Sequence, residues 1–205
     1  MIKISNLKKS YGNELIFNRC SLEILEQNVY GVIGVNGCGK TTFFKVLLSY
    51  TSFEGEIIID SNVSILYIPE EITIYDYLTG WQVLQLLTDI QGFHVNDILN
   101  DVKEKASLFN YTDFGKLVCA HSKGSLRKLF LIQALSSPCE LLILDEPFSG
   151  LDESSKKVLM NELSKIKKTV LFSDHSINRI EKTCDQIIRI EHGEIICSKN
   201  LKKNG

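Results

Sequence analysis

The 205-residue sequence has no apolar run approaching the roughly 18 residues of a membrane span, so no transmembrane segment of its own is expected. Docking on a membrane protein stays open. Met1-Ile2-Lys3-Ile4-Ser5 lacks a long apolar stretch behind a basic start, which argues against a secretory signal. Proline is scarce, at three residues, and neither a low-complexity segment nor a fixed-period repeat is present. Excess positive charge is also missing: 23 Lys and Arg face 25 Asp and Glu, for a net charge of −2. A nucleic-acid binder usually carries a basic face, so no nucleic-acid partner is expected. The six cysteines form no C-x-x-C pair, and no histidine stands at metal-finger spacing. Free thiols in a reducing cytosol are the expectation, with a structural zinc site as the minor alternative.

What is present is an ordinary globular composition, 44% hydrophobic and 23% charged, in a length that suits one large domain. Residues 2–4 and 21–25 read as short strands around a turn at Tyr11-Gly12-Asn13. Asn28 to Ile33 is a β-branched, apolar run ending in glycines, and Thr41 to Tyr50 has the apolar density of a buried helix. Residues 55–60 and 63–68 read as strands. From about Ile74 the texture turns helical, through Trp81 to Leu87 and Asn96 to Phe109, and residues 74–137 are expected to form a mainly helical lobe. Strand signals return at 140–144 and 169–172, with a helix over 154–167 between them and a closing hairpin around His192-Gly193. Strands alternating with helices predict an α/β core with a largely parallel sheet.

Gly34-Val35-Asn36-Gly37-Cys38-Gly39-Lys40-Thr41-Thr42 fits G-x-x-x-x-G-K-[ST] between a strand and a helix. Glycines let the backbone turn with positive φ and approach phosphates without a Cβ in the way. The inward amides form an anion nest, and the helix N-terminus adds partial positive charge. Lys40 would reach the β- and γ-phosphates and the Thr41 hydroxyl would ligate Mg²⁺. Cys38 lies in this loop beside the helix N-terminus, a setting that can lower a thiol's pKa. Downstream, Leu141 to Leu144 is an apolar strand ending in Asp145-Glu146-Pro147. Asp145 suits Mg²⁺ there, and Glu146 suits a general base for a water in line with the γ-phosphate.

With these two motifs in order, the chain resembles the ATPase subunit of an ABC transporter, of the single-domain exporter-like type, over nearly its whole length. Ser149-Gly150-Leu151-Asp152 is similar to that family's D-loop, and Phe172-Ser173-Asp174-His175 to its switch, with His175 sensing the γ-phosphate. Tyr11 stands where the family stacks an aromatic on adenine. His121-Ser122-Lys123-Gly124-Ser125 occupies the place of the family's L-S-G-G-Q signature, with Ser122 and Gly124 matching and three positions differing. Glu70 stands where the family has a glutamine that binds Mg²⁺ and links the site to the membrane partner; a carboxylate is a harder Mg²⁺ ligand than an amide oxygen.

The resemblance implies an α/β fold: a P-loop NTPase core of RecA-like type with an N-terminal antiparallel β subdomain and an inserted helical subdomain. Residues 1–73 and 138–205 would form the ATP-binding core with its β subdomain, and 74–137 the helical subdomain carrying the signature. It implies ATP and Mg²⁺ as cofactors, with Mg²⁺ held by Thr41, Glu70 and Asp145. Gly34 to Thr42, Tyr11, Glu70, Ser122, Gly124, Asp152 and His175 would bind nucleotide, and Lys40, Glu146 and His175 would carry catalysis. It further implies a second ATPase subunit across an ATP sandwich, a homodimer or related heterodimer. A membrane-spanning permease and a cytoplasmic place on the inner face of the membrane would follow. Asp152 is also placed to cap a helix. Two other readings remain: an ATP-dependent switch with negligible hydrolysis, motivated by Glu70 and the altered signature, and a soluble ABC-type ATPase outside transport.

Overall fold

Side-chain alternation along a few short strands decides how this chain divides its core. The computed structural model describes residues 2–74 and 76–201. Strands β1 (Ile2–Tyr11), β2 (Glu14–Ile24), β3 (Val29–Ile33), β4 (Glu54–Ile59), β5 (Ile65–Ile68), β6 (Leu141–Leu144), β7 (Thr169–Ser173), β8 (Gln186–Glu191) and β9 (Glu194–Lys199) form two sheets. The smaller has the order β2-β1-β4 and is antiparallel. The larger has the order β5-β6-β7-β3-β8-β9, parallel except for β9.

In a parallel sheet covered on both faces, consecutive residues feed opposite cores. On β6, Leu142 and Leu144 join one apolar cluster while Leu141 and Ile143 join the other. On β7, Val170 and Phe172 face the first and Leu171 the second. The second cluster is closed by β1, β2 and helix α1 (Lys40–Leu47), through Ile4, Leu7, Phe17, Phe43 and Phe44. The first is closed by α2 (Gly80–Ile90), α3 (Leu99–Leu108), α4 (Lys123–Ser136), α5 (Glu153–Lys165) and α6 (Ile177–Thr183), with 3-10 turns between some of them. A capping box of Thr79 with Gln82 starts α2. Helices therefore dominate residues 80–136, where the sequence reads as helical. Among the described residues, no helix is long and apolar enough to cross a membrane.

The antiparallel sheet departs from its sequence reading. β1 and β2 run for 10 and 11 residues, not as two short strands. Their pairing shifts register three times, and Asn6 and Arg19 take positive φ. Bulges let polar residues such as Lys8, Asn18 and Arg19 sit in strands without following a simple alternation. Gly55, at φ 104, completes one irregularity: a Cβ there would lie 2.5 Å from the carbonyl oxygen of Asn6. Gly55→Ala is expected to cost about 2 kcal/mol from left-handed strain and the backbone clash together. Thermal unfolding should show it as a melting temperature lowered by roughly 4–8 °C.

Candidate functional site

The phosphate loop grows directly from β3, which lies between β7 and β8 in the middle of the larger sheet. Val32 ends the buried run, and the chain turns through Gly34 to Gly39 before α1 begins. Gly37 and Gly39 take φ of 79° and 108°, which only glycine adopts without strain. A Cβ on Gly39 would also lie 2.7 Å from Ile16 Cγ2. Lys40 is buried, and its ammonium donates to the carbonyl oxygens of Gly34, at 3.1 Å, and Val35, at 3.4 Å. Val35, Asn36 and Gly37 are exposed along the loop. The Cys38 thiol turns inward under Gly34 and packs on the β1–β2 core, so its side chain serves packing.

The loop, Asp145 and Glu146 meet because β3 and β6 both flank β7 and end on the same side. Thr41 Oγ1 donates to Asp145 Oδ2 at 2.6 Å. The other oxygen of Asp145 accepts from Ser173 Oγ at 2.6 Å, and Ser173 Oγ in turn accepts from the amide of Glu146 at 2.7 Å. Tyr67 also leans on Asp145, and burial drives its phenol pKa well above the ordinary value. Glu146 itself sits at φ 45, a left-handed conformation that lifts its side chain off the strand line. Its carboxylate lies 3.9 Å from Lys40 Nζ and 3.4 Å from His175 Nδ1. Burial raises the Glu146 pKa above the ordinary carboxylate range; Lys40 pulls against this, Asp174 adds to it, and His175 opposes it. His175 is exposed, while its neighbour Asp174 is fully buried and gripped by Arg179 at 2.5 and 2.7 Å.

One cleft takes in Asn36, Gly37, Gly39, Lys40, Thr41, Thr42, Glu70, Asp145, Glu146, Ser149 and His175. The structure thus gathers most of the residues expected from sequence. Glu70, exposed just beyond β5, lines this cleft. Tyr11 stands apart from it, at the end of β1. Its ring is half exposed, Lys9 Nζ lies 4.3 Å from the ring centroid, and its hydroxyl bonds toward Thr51 and Thr42, which lower its pKa.

Ser122, Gly124 and Asp152 line a second cleft, with Tyr111, Asp113, Ser125, Lys128 and Gly150, and no phosphate-loop residue. Ser122 caps α4 by accepting from the amide of Ser125 at 3.1 Å. Gly124 presses on the 149–152 turn: a Cβ would lie 2.7 Å from the carbonyl oxygen of Gly150. Asp152 caps α5 through the amide of Ser155 at 2.8 Å and pairs with Lys128 at 2.8 Å. Lys128 and these capping donors hold the Asp152 carboxyl below its usual range. His121 is fixed between Tyr111 Oη and the carbonyl of Leu117, both at 2.9 Å.

Sequence reasoning missed three contributors. Ser173 appears in the switch segment without a role, yet it joins Asp145 to Glu146. Arg179 neutralises buried Asp174. Arg127 is buried beneath Glu70 and Glu146. An arginine inside an apolar helix run, at Leu126-Arg127-Lys128-Leu129, was the available signal, although such a residue usually marks a solvated face.

The ABC transporter family profile matches residues 17–149. YhaQ of Bacillus subtilis (strain 168), an uncharacterized ABC transporter ATP-binding protein, is 32% identical across 99% of this chain and 72% of its own length. The zinc import ATP-binding protein ZnuC of Rickettsia bellii is 32% identical across 97% of this chain and 85% of its own. In structure, the chain is similar to a dimeric, post-hydrolysis state of an ATP-binding cassette bound to ADP and Pi. The TM-score is 0.85 at 20% identity, covering 98% of this chain and 99% of that one, a likeness of fold.

Proposed function

We propose, for a chain that belongs to the ABC transporter family and is an ATP-binding, ATP-hydrolysing subunit driving transport, how its own residues divide that work. The observation that carries the reading is the continuous link from Thr41 through Asp145 and Ser173 to the Glu146 amide, beside Lys40. It ties the phosphate loop to a carboxylate held in one orientation at the γ-phosphate end of the cleft. Loop amides and Lys40 bind the phosphates. Tyr11, exposed near Thr42, offers a ring face to adenine.

The donor set suits Mg²⁺. Thr41 Oγ1 and Asp145 Oδ2 lie 2.6 Å apart in the wall of the cleft that Glu70 also lines, and all three offer hard oxygens. When bound, the ion would neutralise charge on the phosphate oxygens. Glu146 accepts the proton of the attacking water as its oxygen bonds to the γ-phosphorus and the bond to the β-phosphate oxygen breaks. His175, 3.4 Å from Glu146, orients that carboxylate and the γ-phosphate.

Ser122 and Gly124 lie in the other cleft, so in this reading they serve the ATP of a second ATPase subunit, and Lys40 of each subunit works with the signature of its neighbour. Residues 74–137 would form the lobe that passes closure and opening to a membrane-spanning permease, with the subunit held on the cytoplasmic face. Phosphate release by the purified chain tests the catalytic reading. It should stand well above that of Lys40→Ala with Mg²⁺ present and fall to that background when EDTA removes the metal. Release no greater than that of Lys40→Ala under both conditions would leave an ATP-dependent switch instead.

A further inference from the structure

Arg127 is the one buried cation in the signature helix, 4% exposed, and it points away from the signature cleft. Its guanidinium donates to three backbone carbonyls: Pro69 at 2.9 Å, Glu70 at 2.7 Å and Glu146 at 3.4 Å. Those carbonyls belong to two turns far apart in sequence, one leaving β5 and one leaving β6. Pairing of β5 with β6 already sets the two strands side by side, with Asp145 N donating to the carbonyl of Ile68 at 2.9 Å. Strand pairing stops there. Beyond it, the arginine fork joins Pro69-Glu70 to the left-handed Glu146 peptide. Burial lowers the pKa of this guanidinium, and the carboxylates of Glu70, Asp145 and Glu146 together hold it charged.

A fork of fixed donors suits this task, because it fixes direction as well as distance. A hydrophobic residue would fill the space and strip the Pro69 and Glu70 carbonyls of the arginine's donors, while the Glu146 carbonyl would keep only the amide of Ser149, at 3.1 Å. The other end of the same helix turn carries Ser122 as its cap and Gly124 against Gly150. One rigid helical turn thus touches both clefts.

We infer that Arg127 is a positioning residue for ATP hydrolysis, clamping the Glu70 turn and the Glu146 peptide to the signature helix so that each subunit's signature contact is transmitted to its own hydrolytic carboxylate. The inference deepens the proposed function and rests on Glu146 acting there as the base. It makes no claim on nucleotide affinity, because the guanidinium meets none of the phosphate-loop atoms.

The test uses the full chain with Arg127→Met, which keeps an unbranched stem and removes the fork, and Arg127→Lys, which keeps the charge and one donor group. For Arg127→Met, KM for ATP should stay within about threefold of the parent while kcat falls roughly ten- to a hundredfold, the scale of a misplaced catalytic group. Arg127→Lys should recover part of that loss. Hydrogen exchange at the amides of Asp145, Glu146 and Ser149 should quicken in Arg127→Met, with α1 unchanged. If Arg127→Met fails to fold, Arg127→Lys alone carries the test, with reduced kcat at constant KM. A kcat within twofold of the parent overturns the inference. So does an equal loss in kcat and KM that tracks a lowered melting temperature and is not relieved by lysine. Glu146→Gln measured alongside separates the two claims: an active Glu146→Gln defeats the reading of Glu146. An inactive one with parent-like Arg127 variants defeats only the clamp.

Discussion

Glu146→Gln is expected to stop phosphate release while ATP still binds. The amide keeps the side chain's size and its polar contact with His175, but it cannot take a proton from water. Loss of a general base costs on the order of 10²–10⁴ in rate. Neither Lys40 nor Asp145 can replace it: Lys40 is an ammonium, and Asp145 has both oxygens engaged by Thr41 and Ser173. Single-turnover release of labelled phosphate, with ATP affinity measured by calorimetry, checks both halves of the expectation. Retained hydrolysis within tenfold of the parent would remove Glu146 from the mechanism.

The parent's pH dependence belongs with this result. In the proposed role Glu146 acts as the carboxylate, and burial raises its pKa, so hydrolysis should fail on the acid side at a pH above the ordinary glutamate range. The sign for stability is the reverse. A carboxyl whose folded pKa is raised favours the folded state when protonated, and that contribution is lost as pH rises through the folded pKa. At neutral pH the charge on Glu146 therefore costs stability, and Glu146→Gln should melt higher than the parent. The gap should shrink as the pH is lowered through the raised pKa.

Lys40→Ala carries the other large effect, and it lies in binding. Lys40 is buried at the base of the loop and its ammonium is aimed along the loop's carbonyls into the cleft. Charge-assisted bonds to phosphate exceed neutral ones, and a loss of about 3 kcal/mol lowers affinity roughly a hundredfold. The backbone nest remains in the variant, so weak binding of the phosphates should persist. Titration calorimetry with ATP reads this directly. Affinity within threefold of the parent would show that the amides alone hold the nucleotide. Comparing the two variants divides the cleft by function: one keeps the ligand and loses the chemistry, the other loses the ligand first.

Legibility differed from element to element for physical reasons. Where one short segment carries the whole device, as in Gly34 to Thr42, the residues announce it, because glycine, lysine and threonine each do something no other residue does there. β3, β6 and β7 were readable because a strand buried on both faces is apolar throughout. The β1–β2 hairpin was harder. Its bulges at Asn6 and Arg19 break the period of two, so polar stretches outside the two short strands expected from sequence are paired strand. Arg127 and Ser173 were hidden for another reason. Their meaning lies in which carbonyls and carboxylates the fold brings to them, and those partners are 19 to 58 residues away in the chain. In residues 121–125 the structure gives Ser122 and Gly124 local reasons of their own: one is a cap, and the other sits where a Cβ has no room.

The place of β3 between β7 and β8 has a consequence for biogenesis. Val29 is paired with Val170, and Tyr30 with Gln186. The strand that launches the phosphate loop is synthesised well before either neighbour and gains both only once β8 has been made. Until then the loop has no fixed base, and its glycines are free to take any conformation. A nascent chain halted before β7 should therefore neither retain ATP nor resist protease at residues 29–48, while synthesis through β8 brings both properties together. Nucleotide capture is in this sense a checkpoint of synthesis, open only to a chain in which β7 and β8 are already in place.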